Sequence, residues 1–363
     1  MGGKKMNVTK NAKNIIDNCR FCWMCRHICP IGNATGQERN TARARSFAIS
    51  MVERGSTELS EVVDNIYECT LCGACTNNCV TGFDPKVFVQ ETKTEIVLSG
   101  LAPDYILSLI EKYMQYGNVY GMEMPSELEA LYSDGDDLLF LAGASASLRA
   151  PKCVARALSL ISSAGEKAAF TKIQDTGLQM WFLSGKTQET QNAARAFAEH
   201  ANKYRRIVVY DPCDLAFIRH EYREWGIEIS AELISFNEYL LSLIKCGKIK
   251  VIKGSTEYTL QDSYAYAREL DDTESGRALI NAAGISREML LIGKEANLAG
   301  HLIMAEYMPK VMRDVALGRW QNAINMGCKT LVTENPDEYL ALKESCPDGY
   351  RVITVEEMLL ENM

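Results

Sequence analysis

From residue 138 to the C-terminus, apolar runs of strand length alternate with amphipathic stretches at helical spacing. That alternation predicts an α/β architecture. The run "DLLFLAGASASL" is among the longest apolar stretches and reads as a buried strand and turn. Upstream the pattern is helical. "ELSEVVDNIYECT" sets Val62, Val63 and Ile66 on one stripe, and "DPKVFVQETKTEIVLSG" and "PDYILSLIEKYMQYG" are two further helical segments. Between the two regimes, "NVYGMEMPSELEALYSDGDD" is polar and broken, as a linker would be. The pattern predicts an α+β multidomain chain: an all-helical part over 1–115, a linker over 116–137, and an α/β part beyond.

The α/β part contains an internal likeness. "ANKYRRIVVYDPCDLAFI" matches "AINMGCKTLVTENPDEYLAL": a helix end, a strand, then x-Pro and a new helix. "IEISAELISFNEYLLSLI" matches "GYRVITVEEMLLEN" as strand then helix. The expectation is two copies of one α/β unit, 138–255 and 256–363, forming a duplicated pseudo-twofold domain rather than a solenoid.

The helical part carries the chemistry. Cys19-x2-Cys22-x2-Cys25-x3-Cys29-Pro30 is followed by Cys69-x2-Cys72-x2-Cys75-x3-Cys79. Three thiolates at this spacing wrap one corner of a cube, and the fourth points away to a second one. The expected pairing is therefore crossed. Cys19, Cys22, Cys25 and Cys79 hold one [4Fe–4S] cluster; Cys69, Cys72, Cys75 and Cys29 hold the other. Structural zinc pairs C-x2-C knuckles from separated segments, and these runs are too dense for it. A disulfide framework fits clustered thiols in a chain without a secretory leader less well still.

Cys69 follows Cys29 by about forty positions, and the insert reads as two helices, with Thr41 capping the first and Gly55-Ser56 breaking between them. This is a ferredoxin of the all-helical type. Within the first run, Trp23 is expected to shield its cluster from water, and His27 to pack or lie at the surface. Arg43 and Arg45 do not share a helix face; they form either a solvated surface or a contact to a cluster loop or a partner.

A double-cluster helical domain followed by a duplicated α/β domain resembles the iron–sulfur subunits of glycolate oxidase, lactate utilisation and anaerobic glycerol-3-phosphate dehydrogenase, with the heterodisulfide reductase catalytic subunit as a relative. That family carries Cys-Cys-Gly motifs in each repeat, and this chain contains no Cys-Cys pair. The matching positions read Leu183-Ser184-Gly185 and Leu298-Ala299-Gly300; Gly143-Ala144 stands for a Gly-Cys turn. Asp211-Pro212-Cys213-Asp214 and Asn335-Pro336-Asp337-Glu338 stand for Cys-Pro-x-Cys elements, and Asp262-Ser263-Tyr264-Ala265 for an Asp-Pro-Cys-His element. The turn-forming glycines and prolines survive where the thiols do not. Cys153, Cys213, Cys246, Cys328 and Cys346 are scattered singletons and read as structural. Asp211, Asp214, Asp337 and Glu338 read first as helix caps and second as a carboxylate group near the pseudo-twofold axis.

Composition narrows the remaining classes. Of 363 residues 47 % are hydrophobic, which is enough for full-sized cores, and the net charge of −8 argues against broad nucleic-acid binding. No stretch reaches the ~18 apolar residues of a membrane span. No apolar segment follows Lys4 and Lys5, so no signal peptide is expected, and Met6 takes the place that a myristoylation motif at Gly2 reserves for Ser or Thr. A cytoplasmic location is expected. No dinucleotide, Walker A, nucleophile-elbow or HExxH motif appears. The resemblance therefore implies an electron-transfer subunit. An FAD-dependent 2-hydroxyacid dehydrogenase or oxidase subunit would supply the flavin, and a further acceptor would take the electrons. The alternative is an enzyme like heterodisulfide reductase, with its active site between the two α/β repeats.

Overall fold

The computed structural model describes residues 6–135 and 137–363; Gly2, Lys4 and Lys5 of the N-terminal reading lie outside the described residues. The N-terminal part is helical throughout. Its main helices are Lys10–Asn18, Pro30–Thr35, Ala42–Glu53, Val63–Tyr67, Pro85–Leu98 and Asp104–Tyr116. Capping sets their ends. Thr41 accepts from the Ala44 N–H, and Thr9 from that of Ala12. Asp84 caps a helix that begins with Pro85. Val62, Val63 and Ile66 are buried, as their stripe predicts.

The segment read as a linker is a fixed strap. Asn118 accepts from the amides of Tyr120 and Met122, donates to the Tyr116 and Met122 carbonyls, and so closes a tight loop. Val119 and Tyr120 are buried, and the Tyr120 hydroxyl lies 2.9 Å from that of Ser145. The polar letters around these two residues hide that anchoring.

Among the described residues seven strands form two parallel sheets. β1 (Leu138–Leu141), β2 (Arg206–Val209) and β3 (Glu232–Ser235) lie in the order β1-β2-β3. β4 (Glu257–Gln261), β5 (Ile285–Ser286), β6 (Thr330–Thr333) and β7 (Arg351–Thr354) lie in the order β5-β4-β6-β7. Leu139 pairs with Ile207 and Ile207 with Leu233; Leu260 pairs with Val332 and Val332 with Ile353. Apart from the short β5, the second sheet repeats the first.

The helices make matching exchanges across the pair. The Pro212–Phe217 helix, after β2, packs on the π-helical turn Ala265–Glu269 after β4; Pro336–Glu344, after β6, packs on Ala144–Arg149 after β1. Phe236–Lys245 packs on Ser275–Ala283, and Val355–Glu361 on Pro151–Ser163. Swapping the two halves maps each contact onto its twin, the self-complementary logic of a twofold dimer. One continuous apolar core runs through both sheets, from Phe140 and Val208 to Leu331 and Ile353.

Candidate functional site: two cysteine loops and a central cavity

Both cysteine runs bend through the same backbone device. Phe21 (φ 50°) and Leu71 (φ 58°) are left-handed, and each is the residue just before the second cysteine of its run. A non-glycine residue there is uncommon and is held by its surroundings. The coincidence of position was visible on superposing the runs, but not the conformation.

The loops bring together thiols that are distant in sequence. Cys29, Cys69, Cys72 and Cys75 line one small interior cavity with Arg45 and Lys86. Cys29 is buried, and its thiol donates to the Asn40 carbonyl at 3.4 Å. At the other loop, the Thr81 hydroxyl lies 3.2 Å from the Cys79 sulfur and donates to the Asn18 carbonyl, which ties Cys79 beside the start of the first run. Cys22 is exposed and Cys25 buried. Burial, with Cys19 and Cys29 nearby, pushes the free Cys25 thiol up to about 11. Among the described residues no group of three or more His, Cys, Asp or Glu side chains converges as it would on a single metal ion. The donor set is all thiol, with apolar backing, and fits iron–sulfur clusters.

Arg43 and Arg45 of the insert both turn to the cysteine loops. Arg45 is fully buried and donates to the carbonyls of Asn65 and Glu68, so it is not a partner-facing surface group. Burial opposes its charge, while Cys69, Cys29 and Glu68 hold it cationic. Arg43 donates to the Phe21 carbonyl at 2.8 Å and lies over the Trp23 ring at 4.3 Å. Trp23 itself is 58 % exposed, between Arg43 and Arg26. Its ring is held outward between two guanidinium groups. His27 is exposed.

The helical part is bolted to the repeats where the thiol motifs are missing. The buried Lys93 ammonium donates to the Phe182 carbonyl at 2.7 Å, and the Tyr67 hydroxyl donates to the Leu183 carbonyl at 3.0 Å. Burial pushes Lys93 down to about 7, against the pull of Cys69. Gly185, at φ +62°, is fixed by closeness: a Cβ there would stand 2.2 Å from Thr94 Oγ1 and 2.5 Å from the Gln90 carbonyl. At Gly300 it would stand 2.2 Å from the Ala341 Cβ.

At the pseudo-twofold centre lies a cavity of about 700 Å³. Asp211, Cys213, Tyr264, His301 and Asp337 line its inner end, and Thr70 and Leu71 of the second cysteine run form part of its wall. Cys213 donates to the Tyr264 hydroxyl at 3.3 Å and accepts from the Asn335 amide at 3.4 Å, so both repeats meet at this thiol. Asp211 accepts from the Cys213 N–H as a cap, and Asn335 caps its twin helix. Asp214 accepts from the Thr176 hydroxyl. Asp337 accepts from the Leu302 N–H at 3.1 Å. Burial, and then the neighbouring carboxyls, push Asp211 and Asp337 well up. Glu338 turns away to the Ala299 N–H and Gln261. Thus three of the four carboxyls gather and one does not. Burial pushes His301, stacked 4.2 Å from Phe182, down to about 3, so it is neutral. Nothing in the spacing of His301 or Lys93 marked them. Of the scattered cysteines, Cys213 lines this cavity; Cys153 and Cys328 are buried elsewhere.

Residues 15–83 match the family described as 4Fe-4S dicluster domain. The chain is 23 % identical over 266 residues to a subunit of the dihydromethanophenazine:CoB--CoM heterodisulfide reductase of Methanosarcina mazei, covering 65 % of this chain and 64 % of the relative. It is 24 % identical over 271 residues to the protein of the same name from Methanosarcina acetivorans, with the same coverage. The match therefore spans somewhat less than two thirds of these relatives. A crystal structure of a hypothetical protein from Helicobacter pylori superposes with a TM-score of 0.58 at 11 % identity, over 98 % of this chain and 73 % of that one, a likeness of fold. The chain is an iron–sulfur protein, distantly related to this heterodisulfide reductase component, with an electron-transfer role. No helix among the described residues is long and apolar enough to cross a membrane.

Proposed function

We propose that this chain is the electron-transfer subunit of an oxidoreductase complex, with two [4Fe–4S] clusters held by crossed ligation. Cys19, Cys22, Cys25 and Cys79 hold one; Cys69, Cys72, Cys75 and Cys29 hold the other. The observation that carries this reading is the grouping of Cys29, from the first run, with Cys69, Cys72 and Cys75 around one cavity. Such clusters, when bound, accept and give up single electrons. The chain supplies what surrounds them. Arg45 sets a fixed positive charge beside Cys29 and Cys69, and the apolar residues of the helical core keep water from the second group.

The partner in this reading is an FAD-dependent dehydrogenase or oxidase subunit, because a flavin converts two-electron chemistry into single-electron steps and no dinucleotide motif appears in this chain. A further acceptor completes the path. The organisation proposed is a cluster domain over 1–115, a strap over 116–137 and repeats over 138–255 and 256–363, in a cytoplasmic protein. Since Arg45 is buried, a partner docks against other groups of this face, where Trp23 and Phe47 are exposed.

Anaerobically isolated protein should contain about eight irons per chain, and a flavoprotein should co-purify from the native host. About twelve irons, zinc in place of iron, or turnover of a 2-hydroxy acid by the chain alone would overturn the reading. The central cavity favours one second reading, a catalytic site between the repeats as in a heterodisulfide-reductase-like enzyme. Its inner end offers one thiol, Cys213, amid carboxyls.

A further inference from the structure

The central cavity has a chemistry of its own that electron transfer does not use. Asp and Glu contribute seven of its lining residues, Lys contributes two, and Arg none. Both lysines are already engaged: Lys86 with Glu269 at 2.6 Å, Lys186 over the Trp225 ring at 5.8 Å. His301 at the inner end is neutral.

The acids are arranged in two carboxyl pairs. Asp211 and Asp337 face each other at the inner end, and Glu221 and Glu224 stand at the mouth. Asp337 is 6 % exposed, and its Oδ1 reaches no hydrogen-bond partner although it lines the cavity. Burial and then Glu224 push Glu221 up to about 7, against the weaker pull of Lys186 and Lys86. Carboxyls held together in a poorly solvated place keep their protons, and a cation that joins them favours their charged form.

One continuous helical face connects the pairs. Cys213, Ala216, Phe217, His220, Glu221 and Glu224 all line the cavity. At about 1.5 Å per residue this face runs on the order of 15 Å from the inner end to the mouth. Its middle is aromatic: Trp181 and Phe217 have ring centres 5.4 Å apart, and Phe217 and Trp225 5.6 Å. Aromatic faces attract ammonium groups and shelter methylene chains, and Lys186 already does the first at Trp225. A single metal ion would meet only one of the two carboxyl pairs. A chain with an ammonium at each end and methylenes between them meets both.

We propose that the cavity binds a linear aliphatic polyamine, one terminal ammonium held by Asp211 and Asp337, the other by Glu221 and Glu224, with its methylenes along Trp181 and Phe217. Binding changes no oxidation state. The site does not depend on the electron-transfer reading, since iron content and EPR signals report that reading separately.

The test is calorimetric titration of the full, iron-loaded chain under anaerobic conditions with spermine, and with tetramethylammonium as a compact cation. Spermine should bind at one site per chain and tetramethylammonium should not compete. Asp337→Asn and Glu221→Gln should each weaken spermine about tenfold, and together about a hundredfold, because the pairs lie far apart. Iron content and melting temperature identify a variant that has misfolded. Glu221→Gln, at the half-exposed mouth, keeps the test decisive if Asp337→Asn is unstable. Absence of spermine binding overturns the proposal. So does binding that neither substitution weakens, which marks loose association with an acidic surface. Equal binding of tetramethylammonium also overturns it, because the site would then hold a compact cation instead.

Discussion

Cys29 belongs to one run by sequence and to the other in space. Its neighbours along the chain are Ile28 and Pro30, yet its thiol shares a cavity with Cys69, Cys72 and Cys75. Cys29→Ser should therefore lower iron from about eight to about four per chain and remove the EPR signal that Cys72→Ser also removes, leaving the signal that depends on Cys22. Loss of the Cys22-dependent signal instead would show that each run holds its own cluster. The thiol spacing made this set legible in the sequence. What surrounds it was not, because the decisive facts are contacts across long separations. The spacing left Arg45 open between a solvated surface and a contact to a cluster loop or a partner, and it is the Asn65 and Glu68 carbonyls that draw it inside. The exposure of Trp23 is set by the turn at Phe21 and by Arg43 beneath the ring.

Among the elements, those with a strong local cause were readable. Thr41 and Asp84 begin their helices because a short polar side chain satisfies free N–H groups there. The repeated strand, x-Pro, helix units became β2 and β6 with their capped helices. The strap over residues 118–120 was not readable, since its long-range bonds run to Gln179 and Ser145, and neither were the π-helical turns Ile218–Tyr222 and Ala265–Glu269. Gly185 and Gly300 are fixed by close packing: one holds the Leu178–Ser184 helix against Pro85–Leu98, the other holds the 298–300 turn against Pro336–Glu344. Gly185→Ala should cost about 2–4 kcal/mol, combining overpacking with a left-handed backbone. Gly300→Ala should cost about 1–3 kcal/mol from overpacking alone. Chemical denaturation should show a lower midpoint for both, whereas Gly226→Ala, with open space around its Cβ, should lose only the smaller backbone part.

At the scale of the whole molecule, the repeats bury acids that the helical part does not. Burial pushes Glu334 and Glu338 up to about 8 from an ordinary 4.5. The folded chain therefore holds protons that the unfolded chain has released over that interval. Stability should be greatest below about 4.5 as far as these groups decide it, and should fall as pH rises through about 8, by up to about 1.4 kcal/mol per group for each pH unit. Melting temperatures at pH 6 and pH 9 should differ less in Glu338→Gln than in the parent protein; an equal difference would mean that other groups set the slope. The shared core of the two sheets reaches further still. Lys253 and Ser255, in the exposed link between the halves, are joined to the rest by little more than the Gly254 amide on the Ala283 carbonyl. A protease cut there would sever the covalent thread without opening the core that the halves build together. The nicked protein should run as two bands on a denaturing gel and as one particle by size exclusion, and the separately expressed fragments 1–254 and 255–363 should find each other and reconstitute it.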